Sequence, residues 1–211
     1  MKLFIYEHCP FCVKARMIFG LKAIPHELSV IMEGDVETPT RMVGRKVVPI
    51  LQKEDGSYMP ESMDIVHYVD AIKAPLIVDK PVDPTLEAWS KAASGPVFKL
   101  AVPRFTKADF KELATPEARE AYRIREEKAF GDLEALMAQT PELIASVEQQ
   151  LAELEPLLAQ PTAISTSDFV LFPVLRSLTI VKGIQFGPNV AAYLKRVADA
   201  TQVDLFTAKA L

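Results

Sequence analysis

Only two of the 211 residues are cysteine and three are histidine, and no cluster of Lys or Arg stands out along the chain. Basic residues number 24 against 28 acidic ones, a formal charge of -4 that leaves no electrostatic footprint for nucleic acid or an anionic membrane surface. Long apolar runs are missing as well. Leu3-Phe4-Ile5-Tyr6 stops at Glu7, too short for a signal-peptide core, and no later stretch reaches the roughly 18 apolar residues of a membrane helix. A compact soluble protein of the cytoplasm is expected. The two cysteines, Cys9 and Cys12, stand three apart, a spacing of catalytic redox pairs rather than of a bond closing a long loop. A zinc site would need a second ligand pair, which His8, His26 and His67 do not supply, so no metal is expected.

The first seventy residues alternate strand and helix signals. Lys2 to Tyr6 reads as a buried strand, Pro10 to Lys22 as a helix opened by proline, His26 to Ile31 as a second strand, and Glu37 to Val43 as a short helix closed by Gly44. Ile50 to Lys53 and Ser57 to Met59 flank Glu54-Asp55-Gly56, a strong hairpin signal. Ser62 is placed to cap a helix reaching Ile72. The order βαβ then ββα is that of a thioredoxin fold. Prolines at 75, 81 and 84 break the pattern. Beyond them, helix starts recur at Asp83-Pro84, Thr115-Pro116-Glu117 and Thr140-Pro141-Glu142, each with a capping side chain before a proline. Ser165-Thr166-Ser167-Asp168 has capping-box spacing, flanked by a staple of Ile164 and Phe169, and opens a helix expected to run to about Lys182. The expected architecture is an α/β thioredoxin-like domain over 1–72, a linker over 73–84, and an all-α helical bundle over 85–211.

Cys9-Pro10-Phe11-Cys12 follows a strand and opens a helix, the context in which the motif carries redox chemistry. A thiol reacts as thiolate, and unpaired N–H groups at a helix start lower its pKa from about 8.5. Cys9 is therefore the expected nucleophile. Cys12 comes round beside it and is expected to stay protonated until it resolves a mixed disulfide. Val48-Pro49 enters a strand opposite this turn, where thioredoxin-like folds place a cis proline, leaving the Val48 main chain free to pair with a bound cysteine. Glu61-Ser62 precedes a helix whose free N–H groups suit a carboxylate, while Glu61 could receive an α-ammonium; a capped helix with a solvated acid is the alternative. His8 is expected to lie in solvent at the turn or else to help stabilise the Cys9 anion. His26 and His67 are assigned no role.

Together, Cys9-Pro10-Phe11-Cys12, Val48-Pro49, Glu61-Ser62-Met63-Asp64-Ile65 and Ser165-Thr166-Ser167-Asp168 resemble the large bacterial glutaredoxins of the glutaredoxin 2 type, built on the cytosolic glutathione transferase plan. The resemblance spans essentially the whole chain. It implies a glutathione-dependent thiol-disulfide oxidoreductase with glutathione as co-substrate, held by Cys9, Val48, Pro49, Glu61 and Ser62. Cys9 would become glutathionylated, and Cys12 would complete the reduction of protein disulfides, whereas deglutathionylation needs Cys9 alone. The partners implied are disulfide-containing or glutathionylated proteins. Arg41, Arg45 and Lys46 are candidates for the glycine carboxylate of glutathione. Phe11 replaces the tyrosine frequent in glutaredoxin motifs, and Val47 stands where many relatives carry threonine.

Three other readings compete. A glutathione transferase shares the architecture but has no use for a resolving thiol. A non-enzymatic binding protein on the same fold, such as the chloride channel-like proteins or stringent-starvation regulators, lacks the complete Cys-x-x-Cys pair. Iron-sulfur binding finds no further cysteines to support it. No exposed hydrophobic stripe is evident, so a monomer is expected.

Overall fold

A computed structural model describes residues 1–211 and gathers the first seventy around one four-stranded sheet. Strand β1 (Lys2–Ile5) is the apolar run at the start of the chain, and it lies parallel to β2 (Glu27–Val30) with helix α1 (Pro10–Lys22) as the crossover. Helix α2 (Glu37–Val43) ends at Gly44, whose φ of 78° lets its N–H return to the Thr40 carbonyl at 2.8 Å. Strands β3 (Ile50–Gln52) and β4 (Tyr58–Pro60) form the hairpin, closed by Asp55 accepting the Ser57 N–H at 2.9 Å and by Gly56 at φ 84°. β3 also runs antiparallel to β1, giving the order β2-β1-β3-β4.

Helix α3 (Ser62–Asp70) departs from expectation at both ends. Ser62 is its first helical residue and not its cap; Glu61 occupies the cap position at φ 72° and makes no side-chain capping bond. The helix stops at Asp70, not Ile72, because the chain folds back onto the Asp70 carboxylate, which accepts the Ile77 and Val78 N–H groups at 2.9 Å. That carboxylate also pairs with Lys22 at 2.6 Å, both side chains being buried, so the ends of α1 and α3 are fastened to the segment that follows.

From residue 84 the fold is helical: α4 (Pro84–Phe105), α5 (Pro116–Phe130), α6 (Leu133–Ala138), α7 (Thr140–Leu154), α8 (Asp168–Leu178) and α9 (Pro188–Thr201). Asp83 caps α4 through the Thr85 and Leu86 N–H groups, and Thr115 caps α5 through that of Ala118. Thr140 does not cap. Only Gln139 separates α6 from α7, so Thr140 is already helical and its hydroxyl donates back to the Met137 carbonyl at 2.7 Å. The capping box forms by half: Asp168 accepts the Ser165 N–H at 2.8 Å, while the Asp168 N–H donates to the Ser165 main-chain carbonyl. Thr166 and Ser167 instead reach the segment ahead of α4, with Thr166 donating to the Lys80 carbonyl and Ser167 accepting the Asp83 N–H. Helix α8 ends at Leu178, four residues before Lys182, because the chain terminus takes over the backbone: Ile180 and Lys182 both hydrogen-bond to Leu211 at 2.9 Å.

One continuous apolar core joins the two halves, running from Leu3 and Phe19 through Leu100 and Phe172 to Val197. Helix α1 packs on α3 beneath the sheet and on α8 and α9 across the junction. Gly20 makes the last contact possible, since a Cβ built there would stand 1.8 Å from the Thr201 carbonyl oxygen. Gly20→Ala should therefore destabilise the chain by about 2 kcal/mol through overpacking, read from urea unfolding; an unchanged midpoint would contradict this packing of α1 on α9.

Candidate active site

Strand β1 delivers the chain directly to the site. Cys9 takes extended backbone angles at the cap of α1, Pro10 occupies the first helical position, and the Cys12 N–H points back to the Cys9 sulfur at 3.5 Å. Both thiols are free; Cys12 is fully buried and Cys9 is 9% exposed. The Cys12 side chain beside it is the largest influence drawing the Cys9 pKa down to about 7. Burial opposes this, and the charge of His8 and the Cys12 and Phe11 N–H groups reinforce it. The sequence pointed to the peptide groups as the main stabiliser; in the structure they come behind the second thiol. Burial, donation to Cys9 and the charge on Cys9 push the Cys12 thiol well up, against the Tyr6 N–H that donates to its sulfur at 3.4 Å.

A largely apolar cavity of about 290 Å³ opens over Cys9 between the two halves of the fold. Tyr6, His8 and Val48 form its floor, and Phe98, Phe105 and Phe130 of α4 and α5 lie across from them. Phe11 stands at the rim, 57% exposed. The sheet register brings the other expected residues to the same edge. Phe4 pairs with Ile50 and Ile50 with Pro60, and Pro49 and Glu61 are the residues that adjoin Ile50 and Pro60 at this end of the sheet. The Val48–Pro49 bond is cis. Val48 lines the cavity with Cys9, whereas Pro49, Glu61 and Ser62 lie outside its wall, Ser62 nearly buried at the head of α3. A larger depression of about 840 Å³ lies between residues 75–83 and α9, and neither cysteine reaches it.

The candidate cations are all paired. Arg41 binds Glu37 across one helical turn at 3.4 Å, Arg45 binds Glu61, and Lys46 binds Glu33 at 2.9 Å. His8 is not at the solvent face of the turn. It is 4% exposed, because its ring stacks on Tyr6 and its Nδ1 and main-chain N–H both reach Glu112 Oε1, at 2.6 and 3.0 Å. Sequence reasoning passed over Glu112, Glu33 and Arg125. Arg125 joins α5 to Glu33 at 2.7 Å, and single charges on helix faces or in loops are mostly solvated, so nothing local flags them. Around Glu112, only Phe110 and Leu113 hint at a segment turned inward.

A profile described as Glutaredoxin 2, C terminal domain, matches residues 85–210, and one described as Glutathione S-transferase, N-terminal domain, matches residues 3–76. Glutaredoxin 2 of Escherichia coli strain K12 is 46% identical over 215 aligned residues, covering 100% of both chains. The chain belongs to the glutaredoxin 2 family. A crystal structure of glutaredoxin 2 from Salmonella typhimurium in complex with glutathione matches at a TM-score of 0.96 and 46% identity, over 100% of this chain and 98% of that one. Likeness of fold alone extends to glutathione transferase GSTFuA3 of Phanerochaete chrysosporium, with a TM-score of 0.74 at 15% identity over 97% of this chain and 98% of that one. Membership of the glutaredoxin 2 family makes the chain a glutathione-dependent oxidoreductase, which decides against the transferase and binding-protein readings. No helix is long and apolar enough to cross a membrane.

Iodoacetamide should label Cys9 first, with a rate midpoint about pH 7, and leave Cys12 unmodified across the neutral range. Peptide mass spectrometry identifies the labelled residue, and early labelling of Cys12 would reverse the two assignments.

Proposed function

We propose that Cys9 is the nucleophile of this glutaredoxin 2 family member and Cys12 its resolving thiol. The observation that carries the reading is the Cys9 sulfur, drawn toward ionisation at neutral pH and opening onto the cavity it shares with Val48. In deglutathionylation the Cys9 thiolate attacks the glutathione sulfur of a mixed disulfide, and the client leaves as a thiolate that takes up a proton. A second glutathione thiolate then attacks the Cys9-bound sulfur, releasing oxidised glutathione and regenerating Cys9. For a protein disulfide, Cys9 forms a mixed disulfide with the client, and Cys12, once deprotonated, attacks the Cys9 sulfur and expels the reduced client. Two molecules of glutathione return the Cys9–Cys12 disulfide to dithiol.

Glutathione is held, in this reading, by Cys9, Val48, Pro49, Glu61 and Ser62. Val48 offers its main chain to the cysteinyl residue of the tripeptide. The first N–H groups of α3, with the Ser62 hydroxyl, receive the γ-glutamyl carboxylate, and Glu61 receives its ammonium. Support comes from the shared sheet edge that gathers Pro49 and Glu61, and from the glutathione complex of the Salmonella protein. The clients are disulfide-containing or glutathionylated proteins, met by a monomer in the cytoplasm, where thiols persist reduced. The functional division is a thioredoxin-like domain over 1–72, a linker over 73–84 and a helical domain over 85–211.

Cys12→Ser should keep reduction of a glutathione mixed disulfide within a few-fold and lose dithiol reduction of a protein disulfide, while Cys9→Ser should lose both by about a thousandfold or more. Glutathione-coupled assays on the two substrates separate these outcomes. Full protein disulfide reduction by Cys12→Ser would contradict the resolving role.

A further inference from the structure

Cys9 is preceded by a histidine whose ring is clamped by a carboxylate from the other half of the molecule. Glu112 lies between α4 and α5 in the helical half and is fully buried. Its Oε1 takes both the His8 Nδ1, at 2.6 Å, and the His8 main-chain N–H, at 3.0 Å, while its Oε2 meets no donor. His8 is the one basic side chain paired with this carboxylate within 4 Å. Burial pushes the Glu112 carboxyl up, but the His8 contacts outweigh it and hold the group below the usual range. An ionised carboxylate cut off from water needs a compensating charge, and the imidazole is what the fold sets against it. The ring cannot swing away: it is stacked on Tyr6 with centroids 5.8 Å apart and lies edge-on to Tyr122 at 4.9 Å. It lines the same cavity as Cys9.

We propose that Glu112 is a positioning residue of the redox site, fixing the His8 ring beside Cys9 so that the helical half helps set how readily the sulfur ionises. The inference rests on Cys9 being the nucleophile. Other charged groups surround the cavity and the Glu112 carboxylate without hydrogen-bonding to either Cys9 or Glu112. Arg125 of α5 serves Glu33 and Glu126, and Lys46 also serves Glu33, so the buried Glu33 carboxylate faces two cations. On α1, Lys14 lies over the Phe11 ring and faces Cys9, and Arg16 faces Cys12, Glu7, Asp204 and Glu112, the last also faced by the buried Arg176 of α8. Tyr6 and Tyr122 are pushed up by burial and stay neutral. Among these groups, His8 is the one that Glu112 holds by direct hydrogen bonds next to Cys9.

The test follows alkylation of Cys9 against pH in the full-length wild type, Glu112→Gln and the double variant His8→Asn with Glu112→Gln, with peptide mass spectrometry to identify the labelled cysteine. The double variant replaces the pair by two neutral amides that can still hydrogen-bond, so it removes the ionisable groups while keeping a polar pair in place. Both should raise the Cys9 midpoint, slowing alkylation at pH 6 about threefold to tenfold. A midpoint unchanged or lowered in both overturns the inference, since Glu112 would then act only as packing or as a bare negative charge. Where a thermal melt shows that Glu112→Gln is unfolded at the assay temperature, the double variant alone decides. Labelling of Cys12 first in the wild type overturns the nucleophile assignment and this inference with it; labelling of Cys9 with an unmoved profile overturns this inference alone.

Discussion

The constraint on which the site depends is the first turn of α1, which sets the Cys12 side chain and main-chain N–H against the Cys9 sulfur. A thiol of ordinary pKa near 8.5 is only about 3% ionised at pH 7, and one drawn to about 7 is about half ionised. That gain must be made against burial, which favours the neutral thiol. Three-residue spacing in a helix provides the means: it brings the second sulfur and its N–H back to the first. The same contact pushes the Cys12 thiol up, so one geometric fact separates the two cysteines into an attacking and a waiting partner.

Everything around that turn serves to hold it at an opening between two unlike halves. The sheet fixes where the turn emerges, and Val48-Pro49 and Glu61 adjoin the paired ends of its last two strands. Helices α4 and α5 close the cavity with aromatic side chains, while buried charges tie the halves together through His8 to Glu112 and Glu33 to Arg125. Each of these bonds crosses the junction, so the electrostatics of the thiol and the packing of the helical half are not separable. Gly20 shows the same dependence in steric form, with α1 seated directly on the last residue of α9.

Much of this was legible in the chain because its signals are local. A proline-opened helix after an apolar strand, Asp-Gly between two extended runs, and Asp or Thr before Pro at helix starts each depend on a few neighbouring residues, and they place α1, the hairpin, α4 and α5 correctly. Local signals failed where distant chain competes for the same groups. Ser62 and Thr140 resemble caps but sit inside their helices, and α8 ends early because Leu211, far along the chain, takes the hydrogen bonds of Ile180 and Lys182. The burial of His8 was hidden for the same reason: its partner, Glu112, is 104 residues away. The cysteines were legible by their spacing, but that one would be the other's main stabiliser required their side-chain geometry.

The most direct measurement is the ultraviolet thiolate titration of Cys9 in the wild type and in Cys12→Ala, which removes the donor and leaves the helix start in place. The account predicts a wild-type midpoint about pH 7 and a clearly higher one in the variant. A variant that titrates at or below the wild-type midpoint would show that the second thiol does not hold the first sulfur ionised.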